Sequence, residues 1–199
     1  MRAIYPNLIW RIKTDEKIIY LSFDDGPHPT ATTFVLDQLH KYNSKASFFC
    51  IGKNVLAYPE IYQRILTDGH SVGNHTYHHV NGWKVTNEVY FDEIEKTSAL
   101  VKSNLFRPPY GRMKRAQINK LRTANHKLQI IMWDVLSGDF DTKISPYQCL
   151  QNVLKNSIPG SIIVFHDSFK AMDRMQYALP KVLEYFTKAG YLFKNIGQP

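Results

Sequence analysis

The sequence predicts one α/β domain built on a parallel sheet, and three observations support that class. Short β-branched or aromatic runs alternate with helical patterns along the whole chain. The runs are apolar at successive positions, which is typical of parallel strands buried on both faces. No linker, low-complexity tract or repeat divides the 199 residues, and that length suits a single domain. Periodicity alone leaves open whether the sheet closes into a barrel.

Seven segments carry the strand pattern, and turn-forming residues end several of them. An Asp-Asp-Gly-Pro run stops the first strand, Gly52 closes the second, and two prolines cut the fourth short. In chain order the predicted strands are Ile18–Phe23, Ala46–Ile51, Ser71–His75, Leu105–Tyr110, Leu128–Val135, Ser161–His166 and Tyr191–Ile196.

Helical periodicity fills the intervals between these strands. Leu179, Val182, Leu183 and Phe186 follow the i, i+3, i+4, i+7 spacing of one helix face, for example, and Gly190 is placed to end that helix. The other predicted helices are Thr32–Tyr42, one ending at Gly69, and stretches near Glu88–Lys102, Gln117–His126 and Pro146–Asn156.

Composition and charge exclude several classes of protein. Hydrophobic residues make up 44% of the chain, too many for a disordered one, while the longest apolar runs are far shorter than the roughly 20 residues of a membrane span. The net charge of +8 comes from scattered lysines and arginines, so we expect a solvated surface and no nucleic-acid partner. The first residues have no apolar signal-peptide core, and we therefore expect a cytoplasmic protein without a membrane partner. Cys50 and Cys149 are expected to be reduced and packed.

Unusual polar side chains fall where the predicted strands end. They are Asp24, Asp25, His75, His78, His79, Arg107, Asp134, Asp139 and His166. The carboxyl ends of parallel strands meet at one face of an α/β sheet or barrel, where active sites lie. Ordinary loop polarity would distribute such residues over both ends of the sheet. The sequence therefore predicts a catalytic or metal-binding site at this edge.

The residue types indicate what such a site could hold. His75 and His79 are spaced i, i+4, and two histidines with one carboxylate form a common set for zinc or non-haem iron. His78 competes with either histidine, and spacing does not decide between them. The neighbouring carboxylates Asp24 and Asp25 could divide metal binding and general-base work. Taken alone, each motif could also be a turn, a cap or a satisfied core residue.

Three motifs together carry a resemblance to a known family. Ser22–Pro27 (SFDDGP), His75–His79 (HTYHH) and Arg107–Gly111 (RPPYG) resemble, in order and spacing, the polysaccharide deacetylases with a NodB homology domain, carbohydrate esterase family 4. The resemblance implies a distorted (β/α) barrel with seven strands, formed by residues 1–199 as one domain with its motifs within about residues 18–167. It also implies a divalent metal, usually Zn²⁺, with Co²⁺ or Ni²⁺ as alternatives.

The resemblance also assigns roles to individual residues. It implies that Asp25, His75 and His79 bind the metal and that Asp24 is the general base. It further implies that Arg107 holds the base, that the backbone N–H of Tyr110 stabilises the oxyanion, and that His166 is the general acid. Val164 stands where the family usually has leucine, in the pocket for the acetyl methyl group.

The fourth motif departs from the family pattern Asp-x-x-Asp-Trp. This chain has Leu136 and Phe140 at the first and last positions, so we expect the aspartate that tunes His166 to be missing. Asp134 lies two residues earlier, on the same strand face by period-two alternation, and is expected to replace it. Phe140 would keep an apolar wall and lose the indole donor.

The predicted function is metal-dependent removal of N-acetyl groups from N-acetylglucosamine-containing oligo- or polysaccharides, chitooligosaccharide or peptidoglycan. The expected partner is this carbohydrate, bound by a monomer. Two alternatives stay open: a hydrolase of another small or cyclic amide on the same barrel, and a metal-binding carbohydrate-binding pseudoenzyme. A two-histidine-one-carboxylate iron oxygenase is disfavoured because it has no use for a second aspartate and an acid histidine.

Overall fold

A computed structural model describes residue 5, residues 8–123 and residues 128–197. Its strands are short and entirely parallel where they pair within the sheet. They are β1 (Ile18–Asp24), β2 (Ala46–Cys50), β3 (Ser71–Asn74), β4 (Leu105–Phe106), β5 (Gln129–Ile130), β6 (Val135–Leu136), β7 (Ile162–His166) and β8 (Leu192–Phe193).

Seven of these strands follow one path, in the order β5-β4-β3-β2-β1-β7-β6, and β8 pairs with β1. The sheet curls into a half-barrel surrounded by helices, which confirms the predicted class of distorted (β/α) barrel. Strand β1, an interior strand of the path, pairs with both β2 and β7. Its C-terminal end is therefore flanked on both sides by the ends of neighbouring strands.

The fifth predicted strand, Leu128–Val135, is two strands in the structure. Its first part is β5 and its last part begins β6, and these lie at opposite edges of the curled sheet. The segment between them crosses the opening in the barrel, where Ile131 forms a bridge with Ile9. One apolar run can contribute a strand to each edge of the sheet because the sheet curls far enough to bring its two edges close together. Sequence periodicity does not contain that information.

Seven helices are described on the outside of the sheet. They are α1 (Ala31–Lys41), α2 (Gly52–Ala57), α3 (Pro59–Thr67), α4 (Asn87–Leu100), α5 (Arg115–Thr123), α6 (Pro146–Asn156) and α7 (Met172–Lys188). The helix predicted to end at Gly69 is divided into α2 and α3 at Tyr58, because Pro59 disfavours helical backbone at the residue before it. The predicted end of α5 at His126 lies outside the described residues.

Both faces of the sheet are buried, as expected for parallel strands. Phe48 and Phe49 are successive residues of β2, so their side chains point to opposite faces. Phe48 belongs to the large apolar cluster that α1, α6 and α7 help to form, and Phe49 belongs to a smaller one with Leu105 and Ile162. Cys50 and Cys149 are buried free thiols. Among the described residues, no helix is long and apolar enough to cross a membrane.

Candidate active site and metal centre

The polar residues singled out in the sequence converge at the C-terminal edge of the sheet. Asp24 is the last residue of β1, His166 is the last residue of β7, and these two positions are paired in register. His75 follows β3 directly, and its backbone N–H donates to the Cys50 carbonyl at the end of β2. The edge therefore collects side chains from the ends of β7, β1 and β3, as parallel α/β architecture favours.

Asp25, His75 and His79 form a cluster whose ligand atoms all lie within 4.8 Å of one another. The Asp25 Oδ1 atom is 3.3 Å from His79 Nε2 and 3.8 Å from His75 Nε2. A tetrahedral zinc site with bonds of about 2.0–2.1 Å separates its donor atoms by about 3.3 Å. The spacing of these three donors therefore suits such an ion.

The chemistry of the donor atoms fits a cation as well. Asp25 Oδ1 is buried and has no hydrogen-bond partner, an arrangement that is costly unless a positive charge compensates it. His75 Nδ1 lies 2.7 Å from the Arg107 carbonyl oxygen, which can only accept, so Nδ1 carries the proton and Nε2 keeps its lone pair. Burial lowers the pKa of His75 to about 3 and also lowers that of His79, which keeps both imidazoles neutral.

The Asp24 carboxylate is held by a buried arginine. Arg107 Nη1 donates to Asp24 Oδ1 at 2.7 Å and to the Ser22 hydroxyl at 2.8 Å, and both charged side chains are almost fully buried. The rest of the guanidinium donates to the carbonyl oxygens of Ile131 and Met132. These carbonyls belong to the segment between β5 and β6, so Arg107 satisfies backbone acceptors at the barrel opening while it fixes Asp24.

The carboxylate partner of His166 is Asp139. Asp139 Oδ1 lies 2.8 Å from His166 Nδ1, and Oδ2 accepts from the His166 backbone N–H at 2.7 Å. Burial alone would lower the pKa of His166, but attraction to Asp139 and, more weakly, to Asp25 and Asp24 raises it to about 9. The Nδ1–H bond to Asp139 leaves Nε2 as the atom that can exchange a proton in the cavity.

The expectation that Asp134 replaces a missing aspartate is wrong in this structure. Its carboxylate accepts from the Ser161 hydroxyl at 3.0 Å and from the Ile162 backbone N–H at 2.8 Å. Ile162 begins β7 and His166 ends it, a separation of about 13 Å at the usual strand rise. Asp134 precedes β6, so side-chain alternation along that strand does not carry to it. The fourth motif does contain a carboxylate for His166: it is Asp139, the second aspartate of the family pattern, and not a residue at or near the first.

Gly138 explains how the second aspartate reaches His166. Its φ of 78° is left-handed, and an added Cβ would lie 2.9 Å from the Ile144 side chain. The chain turns sharply there after β6, and this turn brings Asp139 over the end of β7. Sequence reasoning missed this contact. The signal that could have revealed it is the glycine placed directly before the aspartate.

A cavity of about 520 Å³ opens over these groups. Tyr110 lines it, and its φ of 61° places it in the left-handed region inside a single 3-10 turn. Its ring lies 4.7 Å from that of His79. The apolar part of the wall comes from four residues: Trp133, Leu136, Phe140 and Val164. The Phe140 ring meets the His166 imidazole edge-on at 5.1 Å between centroids, so phenylalanine does supply an apolar wall.

The fold and the site together define a class: a curled parallel (β/α) barrel with a candidate Asp-His-His metal centre at the carboxyl ends of its strands. Comparison with known families identifies the group within that class. The family model described as polysaccharide deacetylase matches residues 11–129, and the chain belongs to this family. The resemblance of the three motifs is thereby confirmed, as is the assignment of the chain to a family of hydrolases.

Individual relatives agree with this membership. The chain is 32% identical over 195 residues to a peptidoglycan-N-acetylglucosamine deacetylase of Bacillus cereus, covering 95% of this chain and 91% of the relative. It is 32% identical over 164 residues to a chitooligosaccharide deacetylase of Azorhizobium caulinodans, with 79% and 77% covered. A crystal structure of a peptidoglycan N-acetylglucosamine deacetylase superimposes with a TM-score of 0.87 at 32% identity, covering 95% of this chain and 90% of that one.

Proposed function

We propose that this protein removes N-acetyl groups from N-acetylglucosamine units of peptidoglycan or of chitooligosaccharides. One observation carries the proposal: the Asp25–His75–His79 cluster lies in the same cavity as a carboxylate held by arginine and a histidine held by carboxylate. These are the parts that amide hydrolysis needs, namely an activated water, a proton acceptor and a proton donor.

Asp25, His75 and His79 would hold a divalent cation, for which we propose zinc because two imidazoles and one carboxylate suit it. Such a cation, when bound, lowers the pKa of water toward 7 and polarises the acetyl carbonyl. The neutral state of both imidazoles and the lone unpartnered Oδ1 of Asp25 support this ligand set.

Asp24 would accept the proton of the attacking water. Arg107 is bonded to the opposite oxygen, Oδ1, and this bond keeps Oδ2 turned toward the cluster, 4.0 Å from His75 Nε2. As negative charge develops on the acetyl oxygen, the backbone N–H of Tyr110 would donate a hydrogen bond to it. One such donor contributes about 3–4 kcal/mol to catalysis.

His166 would protonate the sugar nitrogen as its bond to the acetyl carbon breaks. The products are acetate and a glucosamine unit. Asp139 keeps the imidazole charged near neutral pH and orients Nε2, which is what a general acid requires. The apolar wall around Val164 would receive the acetyl methyl group.

The test is release of acetate by metal-stripped protein, with and without added Zn²⁺, from chitooligosaccharides and from peptidoglycan fragments. We expect zinc-dependent release that Asp24→Asn lowers by about 10²–10⁴-fold, since that is the range of general acid–base catalysis. Asp37→Asn is the matched control, because Asp37 is a surface carboxylate paired with Arg64. The better of the two glycans identifies the substrate class.

A protein that binds zinc and releases no acetate from either glycan would contradict the proposal. That outcome would favour a pseudoenzyme. A protein described as a pseudoenzyme is among the structures similar to this chain. A CE4 family pseudoenzyme from Bacillus anthracis superimposes on this chain with a TM-score of 0.82 at 25% identity, covering 96% of this chain and 68% of that one. Release of ammonia from a small primary amide, or ring opening of a small cyclic amide, would instead favour another amide hydrolase on the same barrel.

A further inference from the structure

Glu93, a buried residue of α4, binds the loop that carries two of the metal-binding candidates. We propose that Glu93 is a positioning residue: by holding His78, it decides which histidines of the His75–His79 run face the cation. This inference rests on the metal site of the proposed function and does not depend on which glycan is the substrate.

Both oxygens of the Glu93 carboxylate are used on one residue of the loop. Oε2 accepts from the His78 backbone N–H at 2.6 Å, and Oε1 lies 2.8 Å from His78 Nδ1. The Glu93 side chain is 7% exposed, whereas that of His78 is 54% exposed. The imidazole of His78 is therefore fixed against α4 at the protein surface and is not part of the Asp25–His75–His79 cluster.

The loop needs such restraint because its backbone is strained. Thr76 has a φ of 62° and His79 a φ of 58°, both left-handed for non-glycine residues. Residues in that region persist where their surroundings over-determine them, at a cost of about 1–3 kcal/mol each. His79 is itself a metal-binding candidate, so the conformation that points its ring at Asp25 is one that the loop does not favour by itself.

Restraint reaches the loop from two helices. The N-terminal end of α2 supplies the backbone N–H groups of Gly52 and Lys53, which donate to the carbonyls of Thr76 and Tyr77. These bonds fix the first half of the loop. Glu93 is the contact from α4 to its second half, one residue before His79. Loss of the Glu93 carboxylate would therefore release the His78 backbone N–H and ring, and would leave the second half of the loop with the bond from the Val80 N–H to the Thr76 hydroxyl.

The contacts of Glu93 also explain a choice among the three histidines that sequence spacing leaves open. His78 competes with His75 and His79 as a ligand, since all three lie within five residues. A carboxylate that binds both the N–H and the ring of His78 removes it from that competition. Asp139 holds His166 by the same pair of contacts, but there the histidine faces the cavity, and here it faces the surface.

The experiment measures the affinity of the folded, metal-free full chain for Zn²⁺ by competition with a chromophoric chelator. Glu93→Ala is expected to bind Zn²⁺ about tenfold more weakly than wild type, the lower end of the range for loss of a direct partner of a ligand, because Glu93 acts on the residue next to His79. Glu93→Gln is expected to recover most of that loss. Its amide oxygen still accepts from the His78 N–H, and its NH₂ can donate to Nδ1 of the other imidazole tautomer.

Asp92→Ala is the matched control, because Asp92 is the preceding residue of α4 and its carboxylate pairs with Lys96 at the surface. Its zinc affinity is expected to stay within about twofold of wild type. If Glu93→Ala does not fold, His78→Ala gives the second measurement. That variant keeps the bond from the backbone N–H to Glu93 and loses the ring contact, so it is expected to bind Zn²⁺ more weakly than wild type, and an affinity within twofold of wild type would then overturn the proposal.

Zinc affinity of Glu93→Ala within twofold of wild type, or an equal loss in Asp92→Ala, would overturn the proposal. A change in thermal stability with unchanged affinity would do so too, because it would mean that Glu93 stabilises the fold alone. These outcomes are independent of catalysis. If wild type and the variants show the expected order of zinc affinities, but wild type releases no acetate, the result would support the role of Glu93 and contradict the deacetylase proposal.

Discussion

Asp24 and His166 occupy paired positions at the ends of the neighbouring parallel strands β1 and β7. Paired residues of a parallel ladder point their side chains to the same face, with strands about 4.8 Å apart. The candidate base and the candidate acid are therefore placed by backbone hydrogen bonds of the sheet, not by a flexible loop. Each is then held by one further ion pair, Asp24 by Arg107 and His166 by Asp139.

The ion pair at His166 predicts a change in the pH dependence of the reaction. Asp139→Asn removes the main attraction that raises the pKa of His166, so the pKa falls from about 9. An acid with a lower pKa loses its proton at lower pH. The alkaline limb of kcat/KM should therefore move to lower pH, by about one unit or more.

Asp134→Asn is the control for this measurement, because Asp134 bonds to Ser161 and Ile162 at the other end of β7. Its profile of kcat/KM against pH should superimpose on that of wild type. A shifted limb in Asp134→Asn, with none in Asp139→Asn, would restore the interpretation that Asp134 tunes the acid.

The buried Arg107–Asp24 pair predicts a stability effect that a second substitution reverses in part. Arg107→Met leaves Asp24 as an uncompensated buried charge, and the free energy of unfolding should fall by about 3–5 kcal/mol. Adding Asp24→Asn removes that charge and should return part of the loss. Urea unfolding of the two single variants and the double variant gives the coupling energy. If the double variant is as unstable as the sum of the singles, the two side chains are not energetically coupled.

From the raised pKa of the buried Asp167 carboxyl, we predict how the free energy of unfolding of the metal-free protein varies with pH. Burial raises its pKa to about 8, and the nearby Asp25 carboxylate adds to the shift. A pKa raised above its ordinary value of 3.8 gives stability that is complete below pH 3.8 and is lost as the pH rises through about 8. Asp167→Asn cannot titrate, and its amide can still accept from the Gly26 N–H. Relative to wild type, the variant should therefore gain stability steadily between pH 4 and 8.

The comparison of Asp167→Asn with wild type isolates this group from His166, whose raised pKa acts in the same direction at higher pH. Urea unfolding at several pH values between 4 and 9 measures it. Two parallel curves of unfolding free energy against pH would show that Asp167 has the same pKa in the folded and unfolded chains.

Metal binding predicts a concentration-dependent rise in melting temperature. A ligand that binds only the folded state at 100 times its Kd adds about 2.7 kcal/mol, which is about 5–10 °C for a chain of this size. Zn²⁺ should produce this shift in wild type, and His75→Ala should abolish it. His40→Ala is the control, because His40 is an exposed residue at the end of α1. An equal shift in His75→Ala would place the cation elsewhere.

Much of the fold could be predicted from the sequence, since local signals carried it. Apolar runs bounded by turn residues located the strands, and Pro146–Asn156 was predicted at the helix bounds that the structure has. The strand predicted over Leu128–Val135 was divided by the curl of the sheet, which brings two edges to one stretch of chain. Curl depends on how all the strands pack, so no local pattern reports it.

The candidate site divides in the same way. The sequence by itself determined which residue types gather at the carboxyl ends of the strands, because the positions of the strands along the chain and their ends follow from local patterns. The tertiary structure decided which of those residues meet. Glu93 binds His78, which is not part of the metal cluster. The turn at Gly138 brings Asp139 into contact with His166, whereas Asp134 is bonded to Ser161. Each of these contacts joins residues from separate elements, and the backbone path between them fixes their distance, which spacing along the chain does not encode.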